Sequence, residues 1–476
     1  MGSVMERNEL ELSELAMRLL VDRAMARIVP HIATLPDQPA VDVVGADELA
    51  QSLVEPLPTS GTDLEALLTL LFDHAIPKSL NTASPGYLAY IPGGGLFHSA
   101  VADLISDAVN RYVGIWAAAP ALVQIEANVL RWFCQMVGFP ESAGGILTSG
   151  GSIANLTAVI AARADRLPED FLKGTLYTSS QTHHSVEKAA ALAGFPARNV
   201  RSIEVDGSQR IRMDLLARRI AEDRASGLSP FLLVVNAGTT NTGAVDDLDA
   251  AADLAAREGL WMHVDGAYGG FFVLTEQGRN VLHGIARADS ITLDPHKGLG
   301  LPYGTGCLLA RDPGKLRKAN HASADYLQDM QVDEAKVDFS ELSPELSRPF
   351  RGLRIWLPMK LHGVGPFEEH LQEKLDLARM ALEELRRIPN LEIMAEPQLS
   401  ILAFRLNPGA LGLEDLNELN RRFLEAINAP GRIYLTPTFL DGAFVIRIAL
   451  LSFRTHRDRL LMGLEDIRNA VMALRG

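Results

Sequence analysis

From residue 9 to residue 31 the chain sets Leu, Met, Val and Ile at helical spacing, as in LELSELAMRLLVDRAMARIV, which gives a helix one apolar face. A proline-bearing connection, TLPDQPAVDV, follows, and a second amphipathic stretch runs from about Thr62 to Ala75. These helices have no sheet of their own. Their apolar faces therefore need cover from the main domain or from a second subunit.

From about Pro85 to Arg311 the period changes. Short apolar runs alternate with helical stretches: GGILTS then SIANLTAVIAARADR, PFLLVVN then DDLDAAADLAAREG, then LWMHVD, SITL and TGCLLA. That alternation predicts a mostly parallel sheet with helices on both faces. Beyond about Arg351, WLPMKLHGVGPFEEHLQEKLDLARMALEELRRI reads as helix, LSILAFRL and FVIRIALLSF as strands, and RDRLLMGLEDIRNAVMAL as a last helix. This is the make-up of a small α+β domain.

Composition narrows the class. The 476 residues are 47% hydrophobic and 22% charged, enough for a large core spread over two or three domains. Against 45 Lys and Arg stand 59 Asp and Glu, a formal net charge of −14; nucleic acid and anionic membranes are disfavoured and a small-molecule partner is favoured. Cys134 and Cys307 offer neither a disulfide framework nor a metal spacing, which suits a reducing cytoplasm. The start, MGSVMERNELELSEL, lacks the basic and apolar regions of a signal peptide, and no run of 18 apolar residues is free of charges or breaks. A soluble cytoplasmic protein is expected.

Lys297, in ITLDPHKGLG, stands just past the apolar run Ser290–Leu293, at a strand end, where α/β proteins bind ligands. Most lysines are merely solvated, so the rest of the chain decides. Residues 148–152, TSGGS, lie between a strand and a helix; Gly151 and Ser152 there suit a phosphate, although a plain N-cap explains Ser152 as well. Asp265 ends the strand of LWMHVDGAYGG, placed to pair with a protonated ring nitrogen or to open an Asp-Gly turn. Small Ala267 lets a flat ring approach the backbone. His183 and His184 precede a helix in SSQTHHSVEKAAALAGF; His183 and Glu187 share a metal-like spacing, but no further His or Cys cluster supports a metal. A stacked imidazole or a simple helix start are the alternatives. Thr239 and Thr240 follow the strand PFLLVVN, as ligand hydroxyls or as turn chemistry. Together these are the parts of pyridoxal phosphate chemistry: a lysine, a helix head for phosphate, an aspartate for the pyridine nitrogen and a ring to stack.

The stretches TSGGSIANLTAVIAAR, SQTHHSVEKA, AGTTNTGAVDDL, HVDGAYGG and LDPHKGLGLPYGTG resemble the group II pyridoxal-phosphate-dependent amino acid decarboxylases, which include the aromatic, histidine, tyrosine and glutamate enzymes. The resemblance runs from PGYLAYIP at residue 85 to LSFRTHRDR near the end. It implies the aspartate-aminotransferase-like fold type I: a helical extension (1–84) clasping a partner subunit, a large cofactor domain (85–350) with a mainly parallel seven-stranded sheet, and a small α+β domain (351–476). It implies a homodimer with shared active sites, Lys297 as the Schiff-base lysine, Asp265 on the pyridine nitrogen, His183 stacked on the ring, and Ala267 against it. Gly151 and Ser152 would hold the phosphate, with Thr240 and His296 close by.

The implied reaction is loss of carbon dioxide from an L-amino acid, with Tyr326, in the family's catalytic-loop segment, returning a proton to the α-carbon. Phenylalanine at that place marks relatives that make aldehydes. Tyr90, Ile91, Pro92 and Trp116 match pocket stretches of the aromatic enzymes, and Arg348 is a candidate for a carboxylate. Gly93 and Gly114 depart from the threonine and phenylalanine of the animal enzymes, and Pro349 from an arginine. An aromatic substrate is favoured; the alternative is another fold type I reaction, on glutamate or diaminobutyrate, to an aldehyde, or by carbon–carbon lysis. A dinucleotide site at Gly298, Gly300 and Gly304 is disfavoured, because the spacing is wrong and a strand follows.

Overall fold

A computed structural model describes residues 10–320 and 336–474. Strands β1 (Gly144–Thr148), β2 (Gly174–Ser179), β3 (Val200–Ile203), β4 (Ser229–Asn236), β5 (Trp261–Gly266), β6 (Ser290–Leu293) and β7 (Gly306–Ala310) form one sheet in the order β1-β7-β6-β5-β4-β2-β3. The run from β6 to β3 is parallel, whereas β7 is antiparallel to both of its neighbours. Strands β2, β5, β6 and β7 are buried at every residue. Both faces are therefore covered, which is why these segments lack polar alternation.

A second, antiparallel sheet joins β8 (Leu391–Ala395), β9 (Ile401–Leu406), β10 (Thr436–Leu440) and β11 (Ala443–Ala449) in the order β10-β11-β9-β8. Its core is separate and draws on helices Gly365–Arg386, Leu413–Asn428 and Arg457–Ala473, together with Leu88. The long helix expected after Arg351 breaks at Gly363 (φ +73°) into Arg351–His362 and Gly365–Arg386, a backbone conformation that glycine adopts at little cost. Strands β2, β3, β8 and β10 are additions to the sequence reading. They are short or carry polar residues, so the apolar period is weak in them.

Helix Glu14–Ala33 is N-capped by Ser13, whose side chain accepts from the Ala16 N–H, and has no buried residue. Leu15 and Leu19 are 66% and 48% exposed. The expected second helix is shorter than its pattern: Leu64–Thr69 is α-helical and Leu70–Ala75 is wound as π-helix. Arg27 pairs with Asp73 across the two.

Candidate active site

Five chain segments meet at one end of the large sheet around a cavity of about 310 Å³. After β1 the chain enters helix Gly151–Arg166 through Gly150, and no side chain caps that helix. The first-turn residues Gly151, Ser152 and Ile153 line the cavity, so the helix presents uncapped N–H groups and its positive end to the pocket. The loop after β2 brings His183, the ends of β4 and β5 bring Asn236 and Asp265, and the turn after β6 brings Asp294, His296 and Lys297.

Asn155, one turn into the helix and 1% exposed, organises the site. Its Nδ2 donates to Asp265 Oδ2 and to Ser185 Oγ, both at 3.0 Å. Its Oδ1 accepts from Thr292 Oγ1 at 2.8 Å and from the imidazole Nε2 of His263 at 3.0 Å. Ser185 in turn holds His183 Nδ1 at 2.8 Å. Burial lowers the His183 pKa, against the pull of Asp265, and so favours a neutral ring. Asp265 also accepts the Ala267 N–H at 3.2 Å and is 7% exposed. Behind it, burial depresses the His263 pKa to about 4. Neutral His263 therefore donates through Nε2 and accepts at Nδ1 from Ser290 Oγ, 2.8 Å away.

On the opposite wall, Lys297 Nζ lies 2.8 Å from Asp294 Oδ2. Burial would lower the lysine's pKa, but Asp294, and beyond it Asp265, outweigh this and raise it. His296 turns its Nδ1 to the Thr305 carbonyl at 2.6 Å, and burial lowers its pKa.

All of Gly151, Ser152, His183, Thr240, Asp265, Ala267, His296 and Lys297 line this one cavity. Asp265 lies within β5, with the turn beginning only after Gly266, and Ser152 is not the cap. Thr239 takes the turn reading: its hydroxyl pairs with that of Thr242 at 2.8 Å. The residues suggested for substrate lie elsewhere. Tyr90 is left-handed (φ 48°) and 53% exposed, Ile91 belongs to the main core, and Pro92 is buried. Trp116 is half-buried and gives its backbone N–H to Asp338 Oδ1 at 2.6 Å. Arg348 requires a correction: its guanidinium is enclosed against Glu126 at 2.5 Å, donates to the Leu147 carbonyl at 3.0 Å, and does not reach the cavity. A buried carboxylate claimed it, and nothing near Arg348 in sequence announces Glu126. Tyr326 lies outside the described residues.

Sequence reasoning missed Asn155, Ser185, Asn236 and Asp294. Asn155 left one readable trace, a poor helix former in mid-helix; Asp294 left another, a carboxylate three residues before the key lysine.

The fold and pocket are those of an α/β ligand-binding site in which an uncapped helix head, the Lys297 amine and a hydrogen-bonded Asp265 carboxylate share one cavity. Residues 55–407 match the family described as the pyridoxal-dependent decarboxylase conserved domain, and the chain belongs to that family, whose cofactor is pyridoxal phosphate. It is 37% identical over 461 residues to an aromatic-L-amino-acid decarboxylase of Bacillus atrophaeus, covering 96% of each chain. It is 32% identical to a tryptophan decarboxylase of Camptotheca acuminata, covering 94% of this chain and 93% of that one. Among solved structures, Oryza sativa TDC with PLP and tryptamine superposes with a TM-score of 0.92 at 27% identity, over 98% of this chain and 99% of the other.

Proposed function

We propose that the protein converts an aromatic L-amino acid into its amine and carbon dioxide, using Lys297, Asp265 and His183 as its central groups. The observation that carries this reading is their convergence, with the uncapped head of helix Gly151–Arg166, on a single cavity. Bound pyridoxal phosphate supplies the electron sink for the pair left when the carboxylate departs. Lys297 Nζ is the nucleophile that attaches it. Asp265, held by Asn155 and the Ala267 N–H, would keep a proton on the ring nitrogen of the cofactor, and the His183 imidazole would lie against the ring. Gly151 and Ser152, at the helix head, would hold the phosphate, with Thr240 and His296 lining the same cavity. Tyr326 returns the proton to the α-carbon.

The aromatic assignment draws on the relatives above. The protein acts as a homodimer: helix Glu14–Ala33, with no residue buried in one chain, clasps a second copy, and Tyr90 and Trp116 complete the substrate end there. The domains divide as 1–84, 85–350 and 351–476. A cytoplasmic setting accords with the two buried free cysteines. Among the described residues no helix is long and apolar enough to cross a membrane.

The test is release of carbon dioxide and amine from tryptophan, tyrosine and phenylalanine, with glutamate and diaminobutyrate as controls. Amine from an aromatic substrate supports the reading; release from glutamate or diaminobutyrate alone, or aldehyde as the product, overturns it.

A further inference from the structure

Asp294 sits at the N-cap position of the short turn Pro295–Gly298, yet its side chain caps nothing there. An aspartate at such a position normally accepts the backbone N–H groups of the next turn. Here the carboxylate points back over the turn. Oδ2 meets Lys297 Nζ at 2.8 Å and stands 3.8 Å from His296 Nε2. Oδ1 is buried without a hydrogen-bond partner. The group is 2% exposed and packed against the helix head, since a Cβ at Gly151 would come within 3.0 Å of Oδ2. A half-satisfied buried carboxylate is costly, and its placement on the reacting nitrogen suggests what it is for.

Resting on the reading above, we infer that Asp294 is the proton acceptor and donor for Lys297 Nζ, governing when the lysine is a free amine able to bond a carbonyl carbon. The step is balanced: one N–H bond of the ammonium breaks, its proton forms an O–H bond on Oδ2, and an ion pair becomes a neutral pair with no change in net charge. Burial of Asp294 helps that exchange, because a neutral pair loses less on desolvation than an ionic one. The other groups facing Nζ are less suited. Asp265 is tied to Asn155 and the Ala267 N–H. His296 has its Nδ1 on a carbonyl, and His183 its Nδ1 on Ser185. The Tyr303 ring lies tilted against His296, with ring centroids 5.6 Å apart. Arg354, which also faces His296, is paired with Asp103.

The experiment uses the full chain freed of cofactor. Lys297 is acylated with an amine-selective reagent across a pH series and its modification read by peptide mass spectrometry, with other lysines as internal controls. Asp294→Asn removes the counter-charge while keeping the shape, so the modification rate of Lys297 at pH 8 should rise several-fold as burial alone governs the amine. Asp294→Glu should return the rate toward the parent's. In the cofactor-loaded protein, the visible band should bleach at lower pH in Asp294→Asn than in the parent. Equal Lys297 rates in parent and Asn variant, with both folded by thermal unfolding, overturn the inference; Asp294→Ser serves if the Asn variant does not fold. The labelling needs no substrate, so failure to release carbon dioxide would fault the proposed reaction and leave this result standing.

Discussion

The pocket turn Asp294–Lys297 and the N-terminal helix Glu14–Ala33 were both conspicuous in the sequence, yet they are built on opposite terms. The turn is held from every side: Asp294 and His296 are buried, β6 before it is buried throughout, and Lys297 is paired within the turn. The helix is regular and well capped but buries nothing within one chain, leaving Leu15, Met17, Leu19 and Leu20 exposed. Local pattern alone is enough to make a helix. A reacting side chain needs elements distant in sequence to fix it, whereas an unburied apolar face is a surface still needing a partner.

That contrast can be broken at either end. The largest effect is expected from Lys297→Ala, which should lower amine release by at least about 10³-fold and remove the visible absorbance of the loaded protein, with secondary structure unchanged by circular dichroism. Placing two charges on the bare helix, Leu15→Glu with Leu19→Glu, should halve the mass measured by light scattering and reduce activity by about 10²-fold if the sites are shared between subunits. A variant that stays dimeric and active would assign that face another role.

Smaller effects probe the support behind the pocket. His263 is neutral in the fold with a pKa depressed from 6.5 to about 4, so the unfolded chain binds the proton first as pH falls. Its contribution is complete above pH 6.5 and is lost on acidification toward pH 4, by about 3 kcal/mol at most. Denaturant unfolding at several pH values should show this loss, and His263→Gln should flatten it. The mildest change is expected from Asn155→Ala, which leaves the Asp265 carboxylate held by the Ala267 N–H alone: about 10-fold lower activity, with weaker cofactor retention on dialysis as the measurement.

How legible was all this beforehand? The alternation after Pro85 foretold the parallel sheet, because strands buried on both faces read as unbroken apolar runs. It did not reveal β2 or β3, which carry polar residues, and β8 and β10 of the second sheet, partly exposed, were equally hidden. Single motifs picked out residues that share the cavity, since strand ends and a helix head carry local signatures. Their supports stayed hidden. Asn155 meets Asp265, Ser185 and His263 only because its helix crosses the ends of β2 and β5, and Glu126 claims Arg348 across 222 positions of sequence, a partnership no local pattern encodes. Residue type marks chemical capacity; which partner uses that capacity is decided by topology.

The central claim is that this cavity binds its cofactor covalently at Lys297, and borohydride reduction of the pyridoxal-phosphate-loaded protein followed by peptide mapping tests it most directly. The account predicts one stoichiometric pyridoxyl adduct on the peptide containing Lys297. An adduct spread over surface lysines, or absent from Lys297, would contradict it.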